Sequence, residues 1–265
     1  MAEVDQGRWT AEMGRLADVN LAATWASLGR SSDAAVGGSE VCTFVATGIP
    51  VAFFNGVYVT QPVADPEGVV RDAIEFMSEH SVPWLLWVRE GVDEGLLDAG
   101  RRAGLRDAGG PPGMVLPSIP ATFPAPDGFE VTVVADAAGI ETFVDVAARG
   151  FEMPVEVAER LVTSATIADP SMVAVVGSVD GVAVSVALAS MTGPTIGVYN
   201  VATPAEHRRR GYGEAITWAA IAAGAELGGD HAALQASQLG APVYRSMGFV
   251  DVGRYVQLEG PPAPT

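Results

Sequence analysis

Six prolines, Pro111, Pro112, Pro117, Pro120, Pro124 and Pro126, fall within sixteen consecutive positions of a 265-residue chain. Proline has no N–H to give a β-ladder, and its ring clashes with a preceding helical turn. Neither a central strand nor a helix interior runs through such a stretch. The chain is therefore expected to divide into 1–116, a linker at 117–127 and 128–260, with a short disordered tail at 261–265. Each main part is long enough to bury a core of its own.

With 49% hydrophobic and 18% charged residues, disordered and collagen-like classes are excluded. The formal charge is −17, the fifteen basic residues are all arginine, and acid is in excess on both sides of the proline cluster. Binding a nucleic-acid backbone over a broad surface would meet repulsion, whereas the same field suits a cationic small molecule. Cys42 is the sole cysteine, which removes internal disulfides and cysteine zinc cages; no spacing among the three histidines suggests a metal site. The start MAEVDQGRWT lacks a signal-like basic and apolar pattern, and no apolar run reaches the roughly 18 residues of a membrane span. A cytoplasmic protein without a membrane partner is expected.

Periodicity predicts a helix over 8–28, strands at 40–46 and 51–60, a helix from Pro66 to about His80, a buried strand at 84–88, and a helix over 93–103 before a last extended run. Beyond the linker it predicts a strand at 129–134, a helix from Asp136 to about 148, and a helix over 154–166. A three-strand meander at 172–179, 182–190 and 195–202 follows, then a long helix from about 210 to 227. A strand at 232–236, a short helix at 242–247 and a strand at 249–258 close the pattern. Gly56-Val57-Tyr58 matches Gly197-Val198-Tyr199, and Arg101 to Gly109 lies on Arg245 to Gly253 with arginine, glycine, aspartate and glycine coinciding. Two matches in one order, within one pattern of strands and helices, indicate a tandem duplication.

The copies part where a strand hands over to the long helix. The first has Gln61-Pro62-Val63-Ala64-Asp65-Pro66-Glu67-Gly68; the second has Thr203 to Gly213, including Arg208-Arg209-Arg210-Gly211-Tyr212-Gly213. Unpaired amides at a helix start, the helix dipole and guanidinium groups converge there on an anion, while glycines allow close approach. A Walker loop needs lysine, which the chain lacks, and the third glycine of a dinucleotide fingerprint is missing.

Arg208-x-x-Gly211-x-Gly213 after Asn200-Val201-Ala202-Thr203, with Tyr244-Arg245-Ser246-Met247-Gly248-Phe249 further on, resembles the GNAT acetyltransferase superfamily over about 129–258. The resemblance implies an α+β fold of two tandem GNAT-like domains, each a mixed, mostly antiparallel sheet flanked by helices, with the second copy catalytic and the first degenerate. It implies acetyl-CoA, or another acyl-CoA, as co-substrate, held in a cleft between splayed strands. Val201 and Thr203 would hold the pantetheine arm through backbone groups, Arg208, Arg209, Arg210, Gly211, Tyr212, Gly213 and Glu214 the diphosphate, and Ser237 would stand where the family often has asparagine. Tyr244 matches the position of a general acid for the departing thiolate; at the offset of the repeat the first copy has Gly100. Glu152 is the candidate base. The implied reaction is N-acylation, acetyl moving to a primary amine by direct attack, in a monomer or homodimer. The alternatives are a non-catalytic acyl-CoA sensor or interaction protein, or a first half that dimerises through its strand at 84–88.

Overall fold

The computed structural model describes residues 2–31 and 34–261. In chain order the elements are α1 (Ala2–Ser31), β1 (Ala35–Ser39), β2 (Cys42–Ala46), β3 (Gly56–Val59), α2 (Pro66–Glu79), β4 (Leu85–Arg89), α3 (Glu94–Arg102), β5 (Arg106–Gly109), β6 (Pro112–Leu116), β7 (Phe129–Val133), α4 (Ala137–Phe151), α5 (Val155–Ala158), α6 (Ser164–Ala168), β8 (Met172–Val179), β9 (Val182–Thr192), β10 (Thr195–Ala202), α7 (Tyr212–Glu226), β11 (His231–Gln235), α8 (Ala241–Ser246) and β12 (Val250–Glu259). Contacts group them into two units. The first comprises 1–115, 235–241 and 251–265, the second 116–234 and 242–250. From residue 262 on, the expected tail lies outside the described residues.

In the first unit β1, β2 and β3 form an antiparallel run, β3 pairs parallel with β4, and β4 pairs antiparallel with β12. Every residue of β3 and β4 is buried, as befits strands covered on both faces. Because β4 has β3 on one side and β12 on the other, it has no open edge with which to join a neighbouring sheet, as the alternative of a first half dimerising through its strand at 84–88 would need. The sequence placed β12 with the second half, whereas its contacts are with the first. The reason is a buried polar knot: Arg89 Nε donates to Asp18 at 3.0 and 3.1 Å, the Tyr255 hydroxyl to Asp18 at 2.8 Å, and Arg89 Nη1 to the Val252 carbonyl at 3.2 Å. A Cβ on Gly14 would stand 2.5 Å from Arg89 Cζ, so α1 approaches the knot only because that residue is glycine.

The second unit repeats the scheme. Strands β7, β8, β9 and β10 run antiparallel, and β10 pairs parallel with β11. Asp136 caps α4 by accepting the Gly139 N–H, as Asp65 and Asp93 cap α2 and α3. Two local expectations fail. The helix at 154–166 is two short pieces, because Thr163 and Thr166 form a capping box that starts α6 afresh. Strand 51–60 is shortened by a 3-10 turn at Ala52–Phe54, tied down where the Asn55 amide donates to the carbonyls of Ile49, Val51 and Pro83. Among the described residues no helix is long and apolar enough to cross a membrane.

Candidate functional site

The chemistry expected of the second unit centres on the ends of β10 and β11 and the start of α7. Pairing between β10 and β11 runs Thr195↔His231, Ile196↔Ala232, Gly197↔Ala233 and then stops, although β10 continues to Ala202. On its other side β10 shifts register: Tyr199 faces Leu188 and Ala202 faces Val186, so Asn200 and Val201 share one partner position. Asn200 takes a left-handed φ of 52°. A bulge of this kind bends its strand and turns its backbone out of the ladder, here at the edge left by the parallel partner.

Above the bulge the chain turns into α7. The amides of Arg209, Arg210, Gly211, Tyr212, Gly213 and Glu214 have no acceptor among the described residues; the first helical bond is Ala215 N–H to Gly211 C=O. The cap position, Gly211, has φ 81° and no side chain to fill the gap. Arg209 is also left-handed, with φ 60°. Such successive turns aim consecutive N–H groups at one point. The guanidinium groups of Arg209 and Arg210 are exposed and have no acidic partner among the described residues. Thr203 Oγ1 is buried without a hydrogen-bond partner, and a Cβ on Gly213 would stand 3.5 Å from it. A buried hydroxyl without a partner is costly. Together these groups suit a polar, anionic ligand.

Arg208 differs from its neighbours. Its Nε donates to the Thr203 carbonyl at 3.0 Å and its Nη2 to the Gly150 carbonyl at 2.8 Å, with Glu152 Oε1 at 3.6 Å. It is committed to the C-terminus of α4 instead of pointing at an anion, and it bonds the carbonyl of Thr203, a residue whose backbone was expected to help hold the pantetheine arm. Glu152, the candidate base, is an exposed, left-handed cap of α4 and pairs with Arg208. Arg149 binds Glu206 at 2.8 Å, so two arginines clamp α4 to the loop before α7. Gly150 is required there, since a Cβ would stand 2.8 Å from that of Ala202.

Tyr244, on α8, is half-buried, and its ring packs on Phe249 with centroids 5.7 Å apart. The Thr217 hydroxyl donates to the Gly213 carbonyl at 2.8 Å. Burial pushes the Tyr244 phenol up to about 12, with Thr217 pulling it partly back. Tyr244 is thus influenced by the residue that bonds the first turn of α7. Thr217 was not singled out in the sequence; its spacing of four from Gly213 was the available signal. Ser237 is not gathered with these groups: it is exposed, belongs by contacts to the first unit, and its hydroxyl accepts the Gly240 N–H at 3.1 Å. Tyr212 stacks on Phe129, and Glu214 stands in the first turn of α7.

Residues 135–250 match the family profile described as an acetyltransferase (GNAT) domain. Over this stretch the chain is similar to GNAT acetyltransferase domains. Solved structures resemble most of the chain. A GCN5-related N-acetyltransferase from Kribbella flavida has a TM-score of 0.70 at 23% identity, over 93% of this chain and 95% of that one. A GCN5-related N-acetyltransferase from Sphaerobacter thermophilus gives 0.60 at 18% identity, over 85% and 82%. A tandem GNAT protein from the clavulanic acid biosynthesis pathway gives 0.61 at 16%, over 84% and 79%. At these identities the likeness is one of fold, and it covers most of the chain, the first unit included. No curated protein sequence matches the chain.

Proposed function

We propose that the GNAT domain is an acyl-CoA-dependent N-acyltransferase, most simply an acetyltransferase, acting on a primary amine. The observation that carries this is the run of six unfilled amides, Arg209 to Glu214, beside the point where β10 leaves β11. An acyl-CoA bound there supplies an activated thioester carbonyl. The amides and the Arg209 and Arg210 guanidiniums hold a diphosphate, worth most at a helix start. Thr203 Oγ1 is the buried hydroxyl left for the carrier's arm, and the Val201 N–H, displaced by the bulge, is the donor for the carbonyl oxygen.

Transfer is assigned to direct attack by the amine. The one cysteine, Cys42, is buried in the first unit with its thiol pushed up to about 12 by burial, so it offers no thiolate to accept an acyl group. Tyr244 stays neutral through the physiological range. Full proton transfer from a phenol near 12 to a thiolate near 8.5 runs uphill by about 5 kcal/mol. Tyr244 therefore serves as a hydrogen-bond donor to the departing sulfur. We assign Glu152 to Arg208 and leave removal of the ammonium proton to solvent; the acidic surface makes a cationic amine the favoured acceptor. An assay of CoA release over a panel of polyamines, aminoglycosides and amino acids tests this. Turnover with at least one amine is expected. CoA binding without turnover makes the protein a sensor, and absence of both removes the reading.

A further inference from the structure

We propose that the proline-rich segment from Phe123 to Phe129 is a built part of the carrier site, a strap that holds the anion loop with its amides facing outward. This rests on the proposed acyl-CoA reading and adds a positioning element to it. Four contacts within the second unit carry it. The Phe123 ring stacks on Trp218 with centroids 5.0 Å apart and planes at 20°. Pro126 Cγ lies 3.3 Å from where a Cβ on Gly211 would stand. The Pro126 carbonyl accepts the Phe129 N–H at 3.1 Å, and the Phe129 ring stacks on Tyr212, 5.8 Å away at 17°.

Gly211 and Trp218 are seven residues apart, on one stripe of α7, and Tyr212 is the next residue round the helix. The strap thus climbs two turns and brackets the tip from which the free amides project. Between Arg208 and Gly211 the chain holds two left-handed residues, Arg209 and Gly211, and arginine adopts that conformation only under constraint. One end of the loop is fixed by Arg208 to the Thr203 and Gly150 carbonyls; the other meets Pro126. Gly211 therefore has a reason to be glycine in the protein itself, apart from any diphosphate. A Cβ on Gly213 meets only Thr203 Oγ1 within 4 Å, which leaves that side open for a ligand.

If the strap pre-organises the loop, loosening it lowers the fraction of time the amides converge, and apparent affinity falls by that fraction. Free CoA is titrated calorimetrically into the full chain and into Phe123→Ala, Phe123→Leu, Phe123→Trp and Pro126→Ala, each checked for folding by its melting transition. Phe123→Ala is expected to weaken CoA about tenfold, with a competent fraction near one tenth. Phe123→Trp, which restores stacking, should bind within about twofold of the parent by the same relation. Since the strap contacts are uncharged, the dependence of Kd on salt should be the same in all of them. Unchanged CoA affinity in folded Phe123→Ala and Pro126→Ala overturns the strap while leaving the site intact. A parent chain that does not bind CoA overturns the site and the strap together.

Discussion

The two units contain the same junction built with opposite chemistry. In each, a strand paired parallel with the next hands over to a helix: β3 to α2 in the first, β10 to α7 in the second. In the first, Asp65 Oδ1 accepts the Gly68 N–H at 3.0 Å, Asp93 Oδ2 accepts the Val63 N–H at 2.8 Å, and Pro66 removes a further donor. The strand there ends one residue past its last parallel pair, Tyr58↔Trp87. In the second, no carboxylate caps the helix, and β10 runs five residues beyond Gly197. A helix start is an anion site by default; what decides its use is whether the chain supplies the anion itself.

The comparison is broken most severely by giving the second junction the chemistry of the first. Gly213→Asp should set a carboxylate among the free amides of the first turn of α7 and repel a diphosphate, weakening CoA about a thousandfold by calorimetry, as expected for two charge-assisted hydrogen bonds at about 2 kcal/mol each. Next is the position proposed to donate a hydrogen bond to the sulfur, tyrosine in one copy and Gly100 in the other. Tyr244→Phe should lower turnover about a hundredfold at little cost in CoA affinity, as for loss of one donor to a developing charge. On the proposed reading the neutral phenol is the form that acts, and burial holds it to about 12, so in the parent chain this group should cause no loss of rate below roughly pH 11. A fall in the pH profile that disappears in Tyr244→Phe would contradict the assignment.

Smaller effects separate the arginines. Arg209→Ala or Arg210→Ala should weaken CoA about fivefold and flatten its salt dependence, each removing roughly 1 kcal/mol of charge attraction. Arg208→Ala should leave that salt dependence unchanged while lowering the melting temperature, because its guanidinium binds Gly150 and Thr203. Smallest at the site is Asp65→Ala, which should cost about 1 kcal/mol of stability through the lost cap and leave CoA binding untouched.

What could be read from the sequence was what is local. Asp65, Asp93 and Asp136 each bond an amide three residues on, and the helices expected from Pro66, 93 and Asp136 begin at these short-range contacts. The arginine and glycine run before α7 was visible for the same reason. What could not be read was long-range. The strand Ala35–Ser39, with two glycines and a serine, has little intrinsic preference and exists because β2 pairs with it. Arg208 is held by a carbonyl 58 residues away, and the Asp18 knot that fixes β12 spans 237 residues to Tyr255. Composition marked 117–127 as a linker; only the fold shows Phe123 lying on Trp218.

Backbone amide NMR of the full chain titrated with CoA tests the central claim most directly. The amides of Arg209 to Glu214 should shift and gain protection from exchange on saturation, while those of Glu67, Gly68 and Val69 stay in place. Saturation that leaves 209–214 unmoved, or that shifts the Asp65-capped amides as strongly, would contradict it.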